Sequence, residues 1–145
     1  MPKRIALVAC VAKKRGEPCP ASELYESPLF RKASSYARSI ADEWYILSAR
    51  YGLIAPSTVI EPYNQTLNQM SKVERLAWAE RVLETLRPHL KASDEVIFLA
   101  GKNYRADLIR PIRELGCTIL VPMEGMRIGE QLSWLGTHGE QTHAG

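Results

Sequence analysis

The sequence predicts an α/β fold, a three-layer sandwich on a central, mostly parallel sheet of about four strands. Three observations lead there. Four short apolar runs, IALVAC (5–10), WYILS (44–48), EVIFLA (95–100) and CTILV (117–121), have the length and continuous hydrophobicity of strands buried on both faces. The segments between the last three runs, and after the first, carry apolar residues at helical spacing. Strand and helix alternate along the chain, which implies right-handed crossovers and a parallel sheet covered on both sides.

Each element has its own local cause. Residues 11–21 (VAKKRGEPCPA) hold a Gly and two Pro and read as a loop. Ser27 and Pro28 open the first helix as N-cap and first helical residue, and Leu29, Phe30, Ala33, Tyr36, Ala37 and Ile40 form its apolar stripe. After the second strand comes a long segment to Leu67 with little helix or strand pattern, rich in polar and aromatic residues. Long ordered loops in small domains are usually functional, so this one is expected to form the wall and lid of a pocket. Ser71 and Glu74 make a capping box for the second helix, with Val73, Leu76, Ala77, Val82, Leu83 and Leu86 along it. The third helix spans residues 103–115 and is stopped by Gly116, with Pro111 inside it as a source of a kink or a late start. A last short helix covers 127–135. Residues 137–145 (THGEQTHAG) predict a disordered tail, which leaves 1–136 as a single α/β domain. No internal repeat is visible.

Composition narrows the function classes. At 145 residues the chain can bury a core without disulfides or metals. Three cysteines with no CxxC spacing, and three histidines with no ligand spacing, predict neither a disulfide framework nor a metal site, and no cofactor is expected. No apolar run reaches the roughly 18 residues that a membrane span needs. Lys13 and Lys14 cut the first apolar run too short for a signal peptide, so a cytoplasmic protein with no membrane partner is expected. Oligomeric state is left open. The net charge of +3 is a mild bias toward anionic partners, and the basic residues crowd the first forty positions.

Ligands of parallel α/β sheets sit beyond the carboxyl ends of the strands. The residues there are Cys10, Lys13 and Lys14 after the first strand; Ser48, Arg50, Tyr51 and Gly52 after the second; Gly101, Lys102, Asn103 and Tyr104 after the third; and Pro122, Glu124, Gly125 and Arg127 after the fourth. Polar and cationic groups beside glycines suit an anionic or hydrogen-bonding ligand. Gly101-Lys102-Asn103 has neither dinucleotide-fold nor phosphate-loop spacing. Cys10 reads either as a small hydrophobe or as a thiol activated by the nearby lysines. Glu61, before Pro62 and Tyr63, reads either as a surface acid or as a general base. Tyr51 and Tyr63 offer faces for a planar ligand, or half-buried lids on the core. Trp78 is read as packing; Trp134 closes either the pocket or the core.

The blocks ALVACVAKK, PASELYESPLFRKASSYA, WYILSARYGLIAPSTVIEPYNQTL, LAGKNYR and RIGEQLSWL resemble a bacterial and phage family of unknown function over nearly the whole chain to Leu135. On that resemblance Cys10, Lys13, Lys14, Tyr25, Ser48, Gly52, Leu53, Glu61, Pro62, Tyr63, Gly101, Tyr104 and Gly129 fall on the family's motif. The family often has Asp where this chain has Asn64, which makes Glu61 the carboxylate to assign. More distantly, the strand-Cys-Lys opening and the Tyr-Gly-Leu block are similar to YaaA peroxide-stress proteins and to the uracil-DNA-glycosylase-like domain of archaeosine synthases. That similarity implies an α/β sandwich and a link to nucleic acid or modified bases.

The expected function is an enzyme acting on a nucleobase, nucleoside or nucleic acid, by N-glycosidic cleavage or base exchange. Glu61 and Cys10 are the catalytic candidates. Lys13, Lys14, Ser48, Arg50, Tyr51, Gly52, Tyr63, Asn64, Gly101, Lys102, Asn103 and Tyr104 are the candidates for binding substrate. A non-catalytic DNA-binding protein is the alternative, and a Cys10-dependent enzyme a third.

Overall fold

The computed structural model describes residues 2–9, 19–20, 28–60 and 67–143. Four strands are parallel: β1 (Arg4–Ala9), β3 (Glu43–Ser48), β6 (Glu95–Leu99) and β7 (Thr118–Leu120). They match the four apolar runs of the sequence. A fifth, β4 (Gly52–Ile54), joins the sheet antiparallel to β3, giving the order β4-β3-β1-β6-β7. A separate two-stranded ladder pairs β2 (Cys19–Pro20) with β5 (Val59–Ile60) antiparallel.

The long segment after the second run is therefore more regular than its sequence suggests. It starts as a tight hairpin, β3 to β4, with Ser48 paired to Gly52, and later supplies β5. Gly52 makes the turn possible with φ of +75°, a backbone region that other residues enter at a cost. Period-2 alternation is invisible in strands of two or three residues, so neither β4 nor β5 was readable.

Helix α1 (Pro28–Ile40) links β1 to β3; α2 (Lys72–Leu86) leads into β6; α3 (Lys102–Glu114) links β6 to β7; α4 (Ile128–His143) closes the described chain. Helices α1 and α4 pack together, as do α2 and α3, on opposite faces of the sheet. The predicted capping box of α2 is present: Ser71 Oγ accepts from the Glu74 amide and Glu74 Oε1 accepts from the Ser71 amide. Pro111 sits inside α3, one turn from its end, and the helix continues through it.

One expectation is corrected. The segment read as a patternless tail from Thr137 continues α4 to His143. The first half of that extension has a side-chain framework: the His138 ring stacks on Trp134 at 3.9 Å between centroids, Nδ1 of His138 is 2.8 Å from the Trp134 carbonyl, and Trp134 meets Tyr36 of α1 edge-on. Glycines and histidines hid that register.

The core follows from the strand order. Ile5, Leu7 and Val8 of β1, Ile46 and Leu47 of β3, and Val96 and Phe98 of β6 are fully buried between Phe30, Ala33 and Ala37 of α1 and Trp78, Val82 and Leu86 of α2. At the amino-terminal rim, polar staples fix the strand starts. Asp94, 1% exposed, accepts the backbone N–H of Lys3 and of Lys91. The Lys3 amide first, with its neighbouring cations, holds the Asp94 carboxyl below its usual range, against the opposing effect of burial. Nearby, the Tyr45 hydroxyl donates to Glu43 at 2.6 Å and Lys3 Nζ pairs with the same carboxylate at 2.9 Å. Burial, then Glu43, pushes the Tyr45 phenol up to about 12.

Asp94→Ala leaves two amide donors without that acceptor and lowers stability by about 2 kcal/mol, measured by urea unfolding. The Tyr45 phenol is raised when folded, so its stabilisation is full below its unfolded value near 10 and is lost as pH rises through about 12. Stability measured across that window falls less steeply in Tyr45→Phe; parallel curves for the two proteins would contradict the assignment.

Candidate functional site

Among the four parallel strands the order is second, first, third, fourth. The chain leaves β1 on one side to reach β3 and later passes to the other side to reach β6. The helices on the two sides diverge at that reversal, between the carboxyl ends of β1 and β6, and beside it a crevice opens beyond the ends of β6 and β7. A cavity of about 330 Å³ lies there, lined by Phe98, Ala100, Gly101, Lys102, Arg105, Val121, Met123, Gly125, Met126 and Gln131. A smaller one of about 40 Å³ adjoins it under α1, sharing Ala100, Gly101, Met123 and Gln131 and reaching Ala9, Phe30 and Ala33. The larger is within the size range of small-ligand sites, roughly 300–1,000 Å³.

Each wall has a local origin. Gly101 is the N-cap of α3 in extended conformation and contributes no side-chain cap, so the helix start, with its partial positive charge, opens into the crevice. Arg105 is one turn further on. Helical side chains lean back toward the N-terminus, and the Arg105 guanidinium returns to donate to the Ala100 carbonyl at 3.2 Å. Only 13% of its side chain is exposed, yet its ion-pair partner Glu124 is 68% exposed and stands 3.6 Å away. A mostly buried guanidinium facing a solvated carboxylate gains little from that pair and retains attraction for an anion. The opposite wall is a double turn after β7, with hydrogen bonds from Glu124 to Val121 and from Met126 to Met123. Gly125 permits it with φ of +80°. Gln131 of α4 donates to the Met126 carbonyl at 3.0 Å and ties the turn to the helix.

The predicted residues fall in different places. Gly101 and Lys102 line the crevice. Ser48, Gly52 and Tyr104 belong to the frame. Ser48 is fully buried; its Oγ accepts the Tyr51 amide at 3.1 Å and its carbonyl accepts Trp78 Nε1 at 2.8 Å. Tyr104 is buried edge-on against Trp78, 5.8 Å between centroids. Trp78 is thus packing, as expected, and Trp134 belongs to the α1–α4 contact. Asn103 is half-buried in the first turn of α3. Arg50 lies with its guanidinium 5.2 Å from the Tyr51 ring centre, on the rim beyond β3 and outside the crevice. Cys10, Lys13, Lys14, Glu61, Tyr63 and Asn64 lie outside the described residues. Cys117, at the opposite rim, is buried and donates to the Lys91 carbonyl; burial pushes its thiol up, away from reactivity.

Sequence reasoning missed Arg105, Met123, Met126 and Gln131. Arg105 was findable: a cation four residues after a glycine N-cap folds back over the strand end. The others depend on how α4 docks on α1, which no local motif encodes. Among the described residues no group of three or more His, Cys, Asp or Glu is placed to hold a metal ion.

Fold and crevice together define a doubly wound α/β protein with a cationic strand-end pocket. Residues 5–137 match a family model described as a family of unknown function (DUF6884), and the chain belongs to that family. It is similar to the uncharacterized protein YfjM of Bacillus subtilis (strain 168), 27% identical over 118 residues, which span 77% of this chain and 79% of that protein. Among the described residues no helix is long and apolar enough to cross a membrane.

Frame and pocket residues respond differently to truncation. Ser48→Ala strips the Tyr51 amide of an acceptor and destabilises the protein by about 1–3 kcal/mol in thermal or urea unfolding. Lys102→Ala, on an exposed first turn, leaves stability within about 0.5 kcal/mol. Equal losses in both would remove the distinction.

Proposed function

We propose that this protein acts on the base of a phosphate-bearing ligand, a nucleotide or nucleic acid, held at the carboxyl rim of its sheet, by hydrolysing the N-glycosidic bond. The observation that carries the binding half is the mostly buried Arg105 guanidinium beside the open start of α3 in the crevice. Helix starts and guanidiniums are both donors suited to phosphate oxygens. The apolar floor of Phe98, Val121 and Met123 suits a planar, uncharged group. The distant resemblance of the strand-Cys-Lys opening to uracil-DNA-glycosylase-like domains supports the chemical half.

In the reaction, the bond from C1′ to the base nitrogen breaks and its electron pair leaves with the base. A water oxygen bonds to C1′, one of its protons passes to a general base, and the departing base takes up a proton. Glu61 is assigned as that general base. Lys102 and Arg105 hold phosphate, which positions the ligand without reading its sequence. Base exchange is the same reaction with a second base in place of water.

A second reading, DNA binding without catalysis, is favoured by the crevice's described ionisable groups: two cations and one exposed carboxylate, enough to bind and not by themselves to cleave.

The test incubates the protein with uracil-containing or otherwise modified DNA and with free nucleotides, and measures released base by chromatography. Release is expected from at least one of them, reduced a hundredfold or more in Glu61→Gln. No release from any substrate removes the catalytic reading. Phosphate-ligand affinity that survives Glu61→Gln but drops at least tenfold in Lys102→Ala/Arg105→Met then leaves the binding reading standing.

A further inference from the structure

The rim has a second hollow, away from the crevice. It lies beyond the end of β3, between the hairpin turn and the outer face of α2, with a volume of about 320 Å³. Ala49, Met70 and Ala77 form its apolar floor, and Arg50, Arg81 and Glu74 its charged mouth. On α2 the spacing Glu74, Ala77, Arg81 puts these three on one stripe, with the small Ala77 making the depression. Arg50 arrives from the hairpin, its guanidinium resting over the Tyr51 ring, a contact that reduces the freedom a ligand would have to remove.

The charges do not cancel. Two guanidiniums face one carboxylate, and Glu74 Oε1 already accepts the Ser71 amide. That hydrogen bond is the first cause holding the Glu74 carboxyl below its usual range. Among the described residues neither Arg50 nor Arg81 forms an ion pair, so no carboxylate of those residues occupies the pair of forks. Guanidiniums bind phosphate oxygens in bidentate geometry, and the volume admits a phosphate with part of a sugar.

From the arrangement of the two hollows we infer that Arg50 and Arg81 form a second phosphate-binding subsite, and that the ligand is a nucleic acid strand, not a mononucleotide. This rests on the reading of the crevice given above. The two hollows share one rim. The strand ends that carry them, β3 and β6, are separated by β1, which puts them roughly 10 Å apart or more at about 4.8 Å per strand. A single phosphate does not span that distance. A strand does, because about three nucleotides of a stacked strand cover it at roughly 3.4 Å each. The crevice takes one phosphodiester with its base, and the Arg50–Arg81 hollow takes a phosphodiester further along.

The experiment compares two labelled probes, a short single-stranded oligothymidylate and thymidine 5′-monophosphate, against three proteins: unaltered, Arg50→Ala/Arg81→Ala, and Lys102→Ala/Arg105→Met. Cooperative thermal unfolding at an unchanged midpoint confirms that the exposed arginines were not structural. The double arginine variant is expected to bind the oligonucleotide about tenfold more weakly, with the log–log salt slope reduced by about one to two, and to bind the monophosphate as the unaltered protein does. Unchanged oligonucleotide binding in that variant overturns the subsite, as does an equal loss for both probes. Poly-glutamate competing as well as the oligonucleotide overturns the nucleic acid assignment. Failure of the crevice reading looks different: Lys102→Ala/Arg105→Met leaves monophosphate binding intact. An unaltered protein that binds neither probe overturns both.

Discussion

Everything in this molecule depends on the position of β1. It is hydrogen-bonded in parallel on both edges, to β3 and to β6, and Ile5 to Val8 are fully buried. A strand in that position cannot carry a polar face. It forces helices onto both sides of the sheet, and because its sequence neighbours in the sheet lie to its left and right, those helices part company at its carboxyl end. The crevice lies beside that gap, beyond the ends of β6 and β7. Its chemistry is whatever the chain places on the loops beside it.

The two ends of the sheet perform different work. At the amino-terminal rim the polar groups satisfy one another: Asp94 takes the amides of Lys3 and Lys91, and Glu43 takes the Tyr45 hydroxyl and the Lys3 ammonium. These contacts tie the start of β1 to its neighbours, leaving those carboxylates little need of an outside partner. At the carboxyl rim the charges are less balanced. Arg105 is nearly buried against a solvated acid, and Arg50 and Arg81 share a hollow with a carboxylate already engaged in a helix cap. Structural ion pairs on one rim and under-compensated cations on the other is the distribution expected when one end holds the fold and the other holds a ligand.

Ser48 connects frame to rim. Its side chain turns the chain back after β3, and its carbonyl anchors Trp78 of α2, whose ring in turn packs on Tyr104 of α3. Two helices that flank the rim are therefore referenced to one residue at the end of one strand. Serine, with an acceptor small enough to be buried beside its own backbone, fits this task. It positions the loop that carries Arg50.

The sequence by itself determined the sheet and its order of elements. Long apolar runs fully buried in a parallel sheet, a helix start at Pro28, a capping box at Ser71 and Glu74, and the glycines at 52, 101 and 116 are local signals whose physics acts within a few residues. They also placed Gly101 and Lys102 at a strand end. What they left undecided was long-range. Strands of two or three residues, such as β4 and β5, exist only because a partner strand is already there to pair with. The continuation of α4 past Thr137 comes with a contact between Trp134 and Tyr36, about a hundred residues apart. The meeting of Arg105 with Gln131, and of Arg50 with Arg81, is decided by how helices pack on the sheet, because packing brings together side chains that no spacing along the chain relates.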